Sequence, residues 1–151
     1  MSTIAIGCDH AGVALKAKLA AVLEARGETV VDVGSFNAEA ADDYPDFAVA
    51  VCEAVLEKKA DRGVLLCSTG IGMSITANRF TGIRAAIVTD EAVAKLSREH
   101  NDANVLILSA RALSDDAAER ALGVWLDTPF SGAERHARRL PYLSPVISRD
   151  V

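Results

Sequence analysis

Cys67 is followed by Ser68-Thr69-Gly70-Ile71-Gly72, whose glycines permit a tight turn with several backbone N–H groups pointing into one concavity at a helix N-terminus. A thiol placed there ionises more readily than an ordinary cysteine, because the helix dipole favours its thiolate, and is suited to act as nucleophile or base. The competing reading is a small buried hydrophobe at a strand end, and spacing alone does not choose between them. Asp9-His10 offers a carboxylate beside an imidazole that changes charge near neutral pH, or simply a cap for the next helix. Glu99-His100-Asn101-Asp102 presents another imidazole, which equally satisfies a helix C-terminus. Tyr44-Pro45 closes a long polar loop, where the ring either walls a ligand or packs. Arg135-His136-Ala137-Arg138-Arg139 puts Arg135 and either Arg138 or Arg139 on one side of a helical turn, suited to gripping a dianionic phosphate through forked hydrogen bonds; a solvated basic face is the alternative.

Sharper motifs fail around Cys67. A cysteine phosphatase loop needs Arg six positions on, where Met73 stands; a Walker loop needs Gly-Lys-Ser/Thr; the dinucleotide fingerprint needs a third glycine where Ile75 sits.

The elements that must position these residues alternate. Thr3 to Cys8, Thr29 to Val33, Gly63 to Cys67, Ile83 to Val88 and Asn104 to Leu108 read as strands. Gly12 to Arg26, Asp46 to Lys58, a segment from Ser68 to about Arg79, Glu91 to Arg98 and Asp115 to Leu126 read as helices. Strands apolar on both faces call for a three-layer α/β/α sandwich, Rossmann-like, around a mainly parallel five-stranded sheet. Ligands in such folds sit beyond the carboxyl ends of the strands. The sequence therefore directs attention to Asp9-His10, the loop from Gly34 to Tyr44, Cys67 to Ser74, Thr89-Asp90 and Ser109 to Arg111.

The chain has 151 residues, half of them hydrophobic, which suits one domain over 1–151. The pattern breaks at Thr128-Pro129, and the tail 127–151, with little apolar periodicity, is expected to lie on a neighbouring subunit. No apolar run reaches bilayer length, and Met1-Ser2-Thr3 carries no secretory pattern, so no membrane partner and a cytoplasmic location are expected. Cys8, Cys52 and Cys67 form no CxxC pair, which argues against disulfides and structural zinc. A net charge of -5 without a basic stripe argues against nucleic acid.

Together these segments are far more specific than singly. Gly7-Cys8-Asp9-His10-Ala11-Gly12, Asp43-Tyr44-Pro45, Cys67 to Ser74, Ala77-Asn78-Arg79, Gly82-Ile83-Arg84-Ala85, Arg98 to Val105 and Arg135-His136 closely resemble, in order and spacing, the ribose-5-phosphate isomerase B family, which includes galactose-6-phosphate isomerase subunits. The resemblance runs from Ile4 to about Arg139. It implies a homodimer or dimer of dimers with the active site between subunits, and no metal or organic cofactor. It implies that Cys67 carries a proton between C1 and C2 of a phosphorylated sugar, assisted by Thr69. Backbone N–H groups over Gly70, Ile71, Gly72, Met73 and Ser74, with Asn101, would stabilise the enediolate oxygens. Asp9 would move the proton between sugar oxygens and His100 would help open the ring. His10, Arg135 and Arg139 resemble phosphate ligands and Tyr44 a wall. Members lacking this cysteine use a carboxylate where this chain has Ile75.

Such chemistry needs such groups: a carbon acid beside a carbonyl is weak, and its oxyanion must be stabilised where charge develops, while a base of suitable pKa holds and returns the proton. The expected pair is ribose 5-phosphate and ribulose 5-phosphate. The stretch Ser131-Gly132-Ala133-Glu134 is longer than in many members, so a tetrose or hexose phosphate is the rival substrate. A non-catalytic sugar-phosphate sensor is the alternative from another class.

Overall fold

The computed structural model describes residues 1–143. Five strands, β1 (Thr3–Cys8), β2 (Thr29–Asp32), β3 (Arg62–Cys67), β4 (Ala85–Val88) and β5 (Val105–Ser109), form one sheet in the order β2-β1-β3-β5-β4. Every pairing is parallel. The helices are α1 (Val13–Ala25), α2 (Tyr44–Leu56), α3 (Ile71–Ala77), α4 (Glu91–Asn101), α5 (Asp115–Asp127) and α6 (Glu134–Arg139), with single 3-10 turns at His10–Gly12 and Leu140–Tyr142.

Successive strand side chains point to opposite faces. Ile4, Ile6, Leu66 and Leu106 pack with Leu19, Leu23, Ala94, Leu122 and Trp125 of α1, α4 and α5. Ala5, Leu65, Val105 and Ile107 pack with Val51, Val55, Met73 and Ala77 of α2 and α3. The result is the three-layer α/β/α sandwich expected from the alternation. The same alternation separates the strand-end thiols: Cys8 joins the α1 layer and Cys67 the α2–α3 layer.

The layers meet at glycines. A Cβ on Gly63 would stand 2.5 Å from Val51 Cγ1 and 3.3 Å from Val105 Cγ2, so β3 accepts α2 only because that position has no side chain. Gly63→Ala is expected to destabilise the fold by about 1–3 kcal/mol through overpacking. Thermal denaturation would read this as a Tm lowered by several degrees, while an unchanged Tm would mean the layers are loose there.

Most boundaries differ by one to three residues from the sequence reading, and three of these differences bear on the site. β4 begins at Ala85, because Ile83, fully buried, sits in the turn after Gly82 instead of in the ladder. α2 begins at Tyr44, with Pro45 in its first turn. α4 runs on to Asn101 and stops where Asp102 turns left-handed at φ 45°. The last turn of α4 persists because Arg98, buried, hydrogen-bonds through Nη1 to Asp102 Oδ1 at 2.8 Å and Ala103 O at 2.7 Å, and through Nε to Thr128 O at 3.1 Å. His100 and Asn101 therefore belong to the helix.

The tail forms α6 and returns to its own α4: Ser131 N donates to Glu99 O at 3.2 Å, and the His136 ring lies 4.1 Å from that of His100. The part of the tail from 144 to 151 lies outside the described residues.

Candidate active site

β1 and β3 lie side by side, and the chain leaves them in opposite directions, from β1 through α1 to β2 and from β3 through α3 to β4. Such a switch point opens a crevice beyond the strand ends. Asp9 and Cys67 flank it.

Cys67 is 5% exposed, and its Sγ accepts the Gly70 N–H at 2.9 Å. Gly70 sits at φ 83°, where a Cβ would meet Ile107 Cγ2 at 3.0 Å, so glycine alone allows the turn that brings this N–H onto the sulfur. The Ile71 N–H donates to Thr69 Oγ1 at 3.3 Å, whereas the N–H groups of Gly72 and Met73 have no acceptor among the described residues. They are the unpaired donors of the α3 N-terminus. The Met73 side chain itself is core. The other two thiols are different: burial pushes Cys8 up to about 11 and Cys52 up to about 12, and Cys8 donates to Ser35 O at 3.7 Å. Among the three, Cys67 is the one held as a hydrogen-bond acceptor.

Asp9, 8% exposed, accepts the Ala11 N–H through Oδ1 at 3.0 Å, so the capping reading holds for one of its oxygens. His10 follows, with its side chain 45% exposed. The Tyr44 ring lies across α3, and a Cβ on Gly72 would fall 2.3 Å from Tyr44 Cζ. Gly72→Ala is expected to fold normally, since a ring can swing aside, but to raise KM severalfold by displacing that wall. A KM equal to the parent's would remove Tyr44 from the site. On the other flank a cavity of about 440 Å³ is lined by Thr69, Val88, Thr89, Ser109 and Arg111. Ser109 Oγ donates to Ser68 O at 2.6 Å, tying the Cys67 turn to β5.

The remaining predicted residues are elsewhere. Cys67 pairs with Ser109, four residues along β5 from Val105, which spans about 13 Å of strand. His100 and Asn101 precede Val105 and so lie at the opposite end of the sheet. Arg135 and Arg139, one turn apart on α6, join them there. Arg138 pairs with Glu134 at 3.1 Å, while Arg135 and Arg139 make no ion pair among the described residues. His136 is buried against His100, its Nδ1 2.9 Å from Ser131 Oγ; burial, then His100, Arg135 and Arg139, hold its pKa below the ordinary value. One chain thus carries two half-clusters: Asp9, His10, Tyr44, Thr69 and Cys67 to Ser74 at one end, His100, Asn101, Arg135 and Arg139 at the other.

Sequence reasoning missed Asp42. Its Oδ1 accepts both the His10 N–H at 3.0 Å and His10 Nδ1 at 2.9 Å. The available signal was a doubled acid, Asp42-Asp43, ending a loop that must pass the Asp9-His10 turn.

A doubly wound α/β unit with a thiol, a carboxylate, an imidazole and unpaired N–H donors at its switch point is the class of cleft that moves protons on a small anionic ligand. The chain belongs to the ribose/galactose isomerase family, whose model matches residues 4–143. It is similar to ribose-5-phosphate isomerase B of Escherichia coli K12, at 40% identity over 149 residues and 99% of each chain. A solved ribose 5-phosphate isomerase of Thermotoga maritima matches with a TM-score of 0.91 and 43% identity, over 95% of this chain and 97% of its own. The ribose-5-phosphate isomerase B of Mycoplasma genitalium, solved with ribulose-5-phosphate bound, matches with a TM-score of 0.89 and 39% identity over 93% of each. No helix among the described residues is long and apolar enough to cross a membrane.

Proposed function

We propose that this protein interconverts ribose 5-phosphate and ribulose 5-phosphate through a cis-enediolate, in sites completed by a second copy of the chain. The observation that carries the reading is Cys67 Sγ accepting the Gly70 N–H beside the unpaired N–H groups of Gly72 and Met73. A thiolate is the form that accepts most strongly, and unpaired donors nearby suit a developing oxyanion.

In the open-chain aldose, Cys67 takes the proton from C2. The electrons flow into C1=O, giving an enediolate whose oxygens meet the Gly72 and Met73 N–H groups. Cys67 returns the proton to C1, while the O2 proton moves to O1 through Asp9, leaving a ketone at C2. Thr69 supports the transfer, Tyr44 closes the wall and His10 takes the phosphate.

His100, for ring opening, Asn101, for the enediolate, and Arg135 with Arg139, for the phosphate, come from the second copy. This is supported by their position at the far end of the sheet, and by Ile71 and Ile75, 58% and 62% exposed on one face of α3, which a second copy would cover. The tail is part of the same unit, and the cytoplasm is the compartment this chemistry fits.

Ribose 5-phosphate is favoured because each of the three relatives described carries that activity in its name. Comparing kcat/KM over four-, five- and six-carbon sugar phosphates tests this. Fastest turnover is expected on ribose 5-phosphate; a preference for a tetrose or hexose phosphate would move the substrate, and binding without turnover would make the protein a sensor.

A further inference from the structure

The loop between β2 and α2 is laced to the end of β1. Cys8 N donates to Gly34 O at 2.7 Å and Ser35 N to Cys8 O at 2.6 Å. Buried Lys16 holds both oxygens of Asp32 at 2.6 Å, and Asp32 Oδ1 accepts the Gly34 N–H at 2.9 Å. So anchored, the loop returns over the Asp9-His10 turn and sets Asp42 against His10, where Oδ1 receives two donors from that one residue. Asp42 Oδ2 is buried without a hydrogen-bond partner. His10 is thus the only cation that meets Asp42 among the described residues.

We propose that Asp42 is a positioning residue that keeps His10 a charged, oriented donor for the phosphate of the substrate. This rests on the proposed function, in which His10 meets the phosphate.

The physical reason lies in the inventory of the ring. A neutral imidazole has one N–H, and here Nδ1 is spent on Asp42, so Nε2 carries a proton only in the imidazolium. Nε2 has no partner among the described residues. A phosphate can therefore be gripped by His10 only while the ring is charged. Among the described residues, the charged groups acting on the ring are Asp42 across from it and Asp9 beside it. The hydrogen bond to Asp42 raises the His10 pKa most, burial opposes it, and Asp9 adds to the rise. For Asp42, burial disfavours the charge, and the neighbouring Ser35 hydroxyl with the two His10 donors outweighs it, holding the carboxyl below its usual value.

The sign follows. A raised pKa means that the His10 charge is present at low pH and is lost as pH rises through that value. Without Asp42 the loss comes at lower pH. At low pH, however, His10 is charged either way, and removing the carboxylate removes a negative charge from beside the phosphate. Asp42→Asn therefore weakens phosphate binding at alkaline pH only.

The chain has three histidines, so the His10 ring signal is assigned by its loss in His10→Gln and can be titrated by NMR. Inorganic phosphate binding by calorimetry at pH 5.5 and 8, and KM with kcat for ribose 5-phosphate, complete the set, with Asp42→Glu as a second variant. In Asp42→Asn the His10 midpoint is expected to fall. Phosphate affinity should be equal or tighter at pH 5.5 and roughly tenfold weaker at pH 8, the loss of one charge-assisted bond. KM should follow with kcat unchanged, Asp42→Glu should restore part of the loss, and in a His10→Gln background Asp42→Asn should cause no further loss of affinity at pH 8. An unmoved His10 midpoint, or an equal loss at both pH values that persists without His10, would overturn the proposal. A parent protein that binds phosphate but turns over no ribose 5-phosphate would count against the proposed function, while the titration and phosphate binding would still decide the role of Asp42.

Discussion

Replacing Cys67 with alanine is expected to lower kcat by about 10³-fold or more while leaving ribose 5-phosphate binding within a few fold of the parent. The loss is that of a base whose contribution is typically 10²–10⁴, on a carbon acid that water deprotonates poorly. Binding survives because the N–H groups of Gly72 and Met73 are main-chain donors set by the Gly70 turn at φ 83°, which alanine at position 67 leaves in place. Cys67→Ser sharpens the test: it keeps the size and a hydrogen bond to Gly70 but supplies a far weaker acid, so it should be nearly as inactive. Exchange of the substrate C2 proton with solvent deuterium, followed by NMR, should vanish in both variants. Turnover within tenfold of the parent in either would assign the base elsewhere. Cys8→Ala is the control, since that thiol, pushed up to about 11 and donating to Ser35 O, faces the α1 layer.

The second large effect concerns two inactive proteins that become active when mixed. Cys67→Ala lacks the base but keeps His100, Asn101, Arg135 and Arg139. A chain with Arg135→Ala and Arg139→Ala keeps the base but should lose the phosphate grip, with kcat/KM down by about 10²-fold or more, as expected for two desolvated charge-assisted contacts. If each site draws its two halves from different copies, random pairing makes about half of the dimers mixed, and each mixed dimer has one intact site of two. Co-refolding should restore about a quarter of the parent activity. No recovery above the sum of the separate variants would mean that each site is built within one chain. The arrangement of the chain argues for recovery: Cys67 and Val105 stand at opposite ends of the sheet, and α6 is pinned to α4 by Ser131–Glu99 and by His136 against His100.

Much of this was legible before any coordinates. The five strands and five of the helices follow from apolar runs and period, and the capping alternative for Asp9 from its place after a strand: its Oδ1 accepts the Ala11 N–H at 3.0 Å. Cys67, Gly70 and Gly72 were recognisable as a unit because a strand end, a tight turn and a helix start are contiguous. These features depend on neighbours within a few residues, and the chain writes them locally.

What remained hidden depends on residues far apart. Nothing in Ile83 to Leu108 says that β5 inserts between β3 and β4, since strand order is decided by how the crossovers pack. The extension of α4 to Asn101 rests on Arg98 reaching Thr128, thirty positions away. Spacing left Arg138 and Arg139 equivalent and the family resemblance chose Arg139; that Glu134 occupies Arg138 is visible only in the structure. His10 and Asp42 are 32 residues apart and meet only because the β2–α2 loop is laced to the end of β1. The sequence by itself determined which groups the protein possesses and which local turns hold them, because φ preferences, period and capping act over a single turn. The tertiary structure alone decided which groups stand together: sheet order and parallel register carry Cys67 and His100 to opposite ends, and no local interaction encodes that separation.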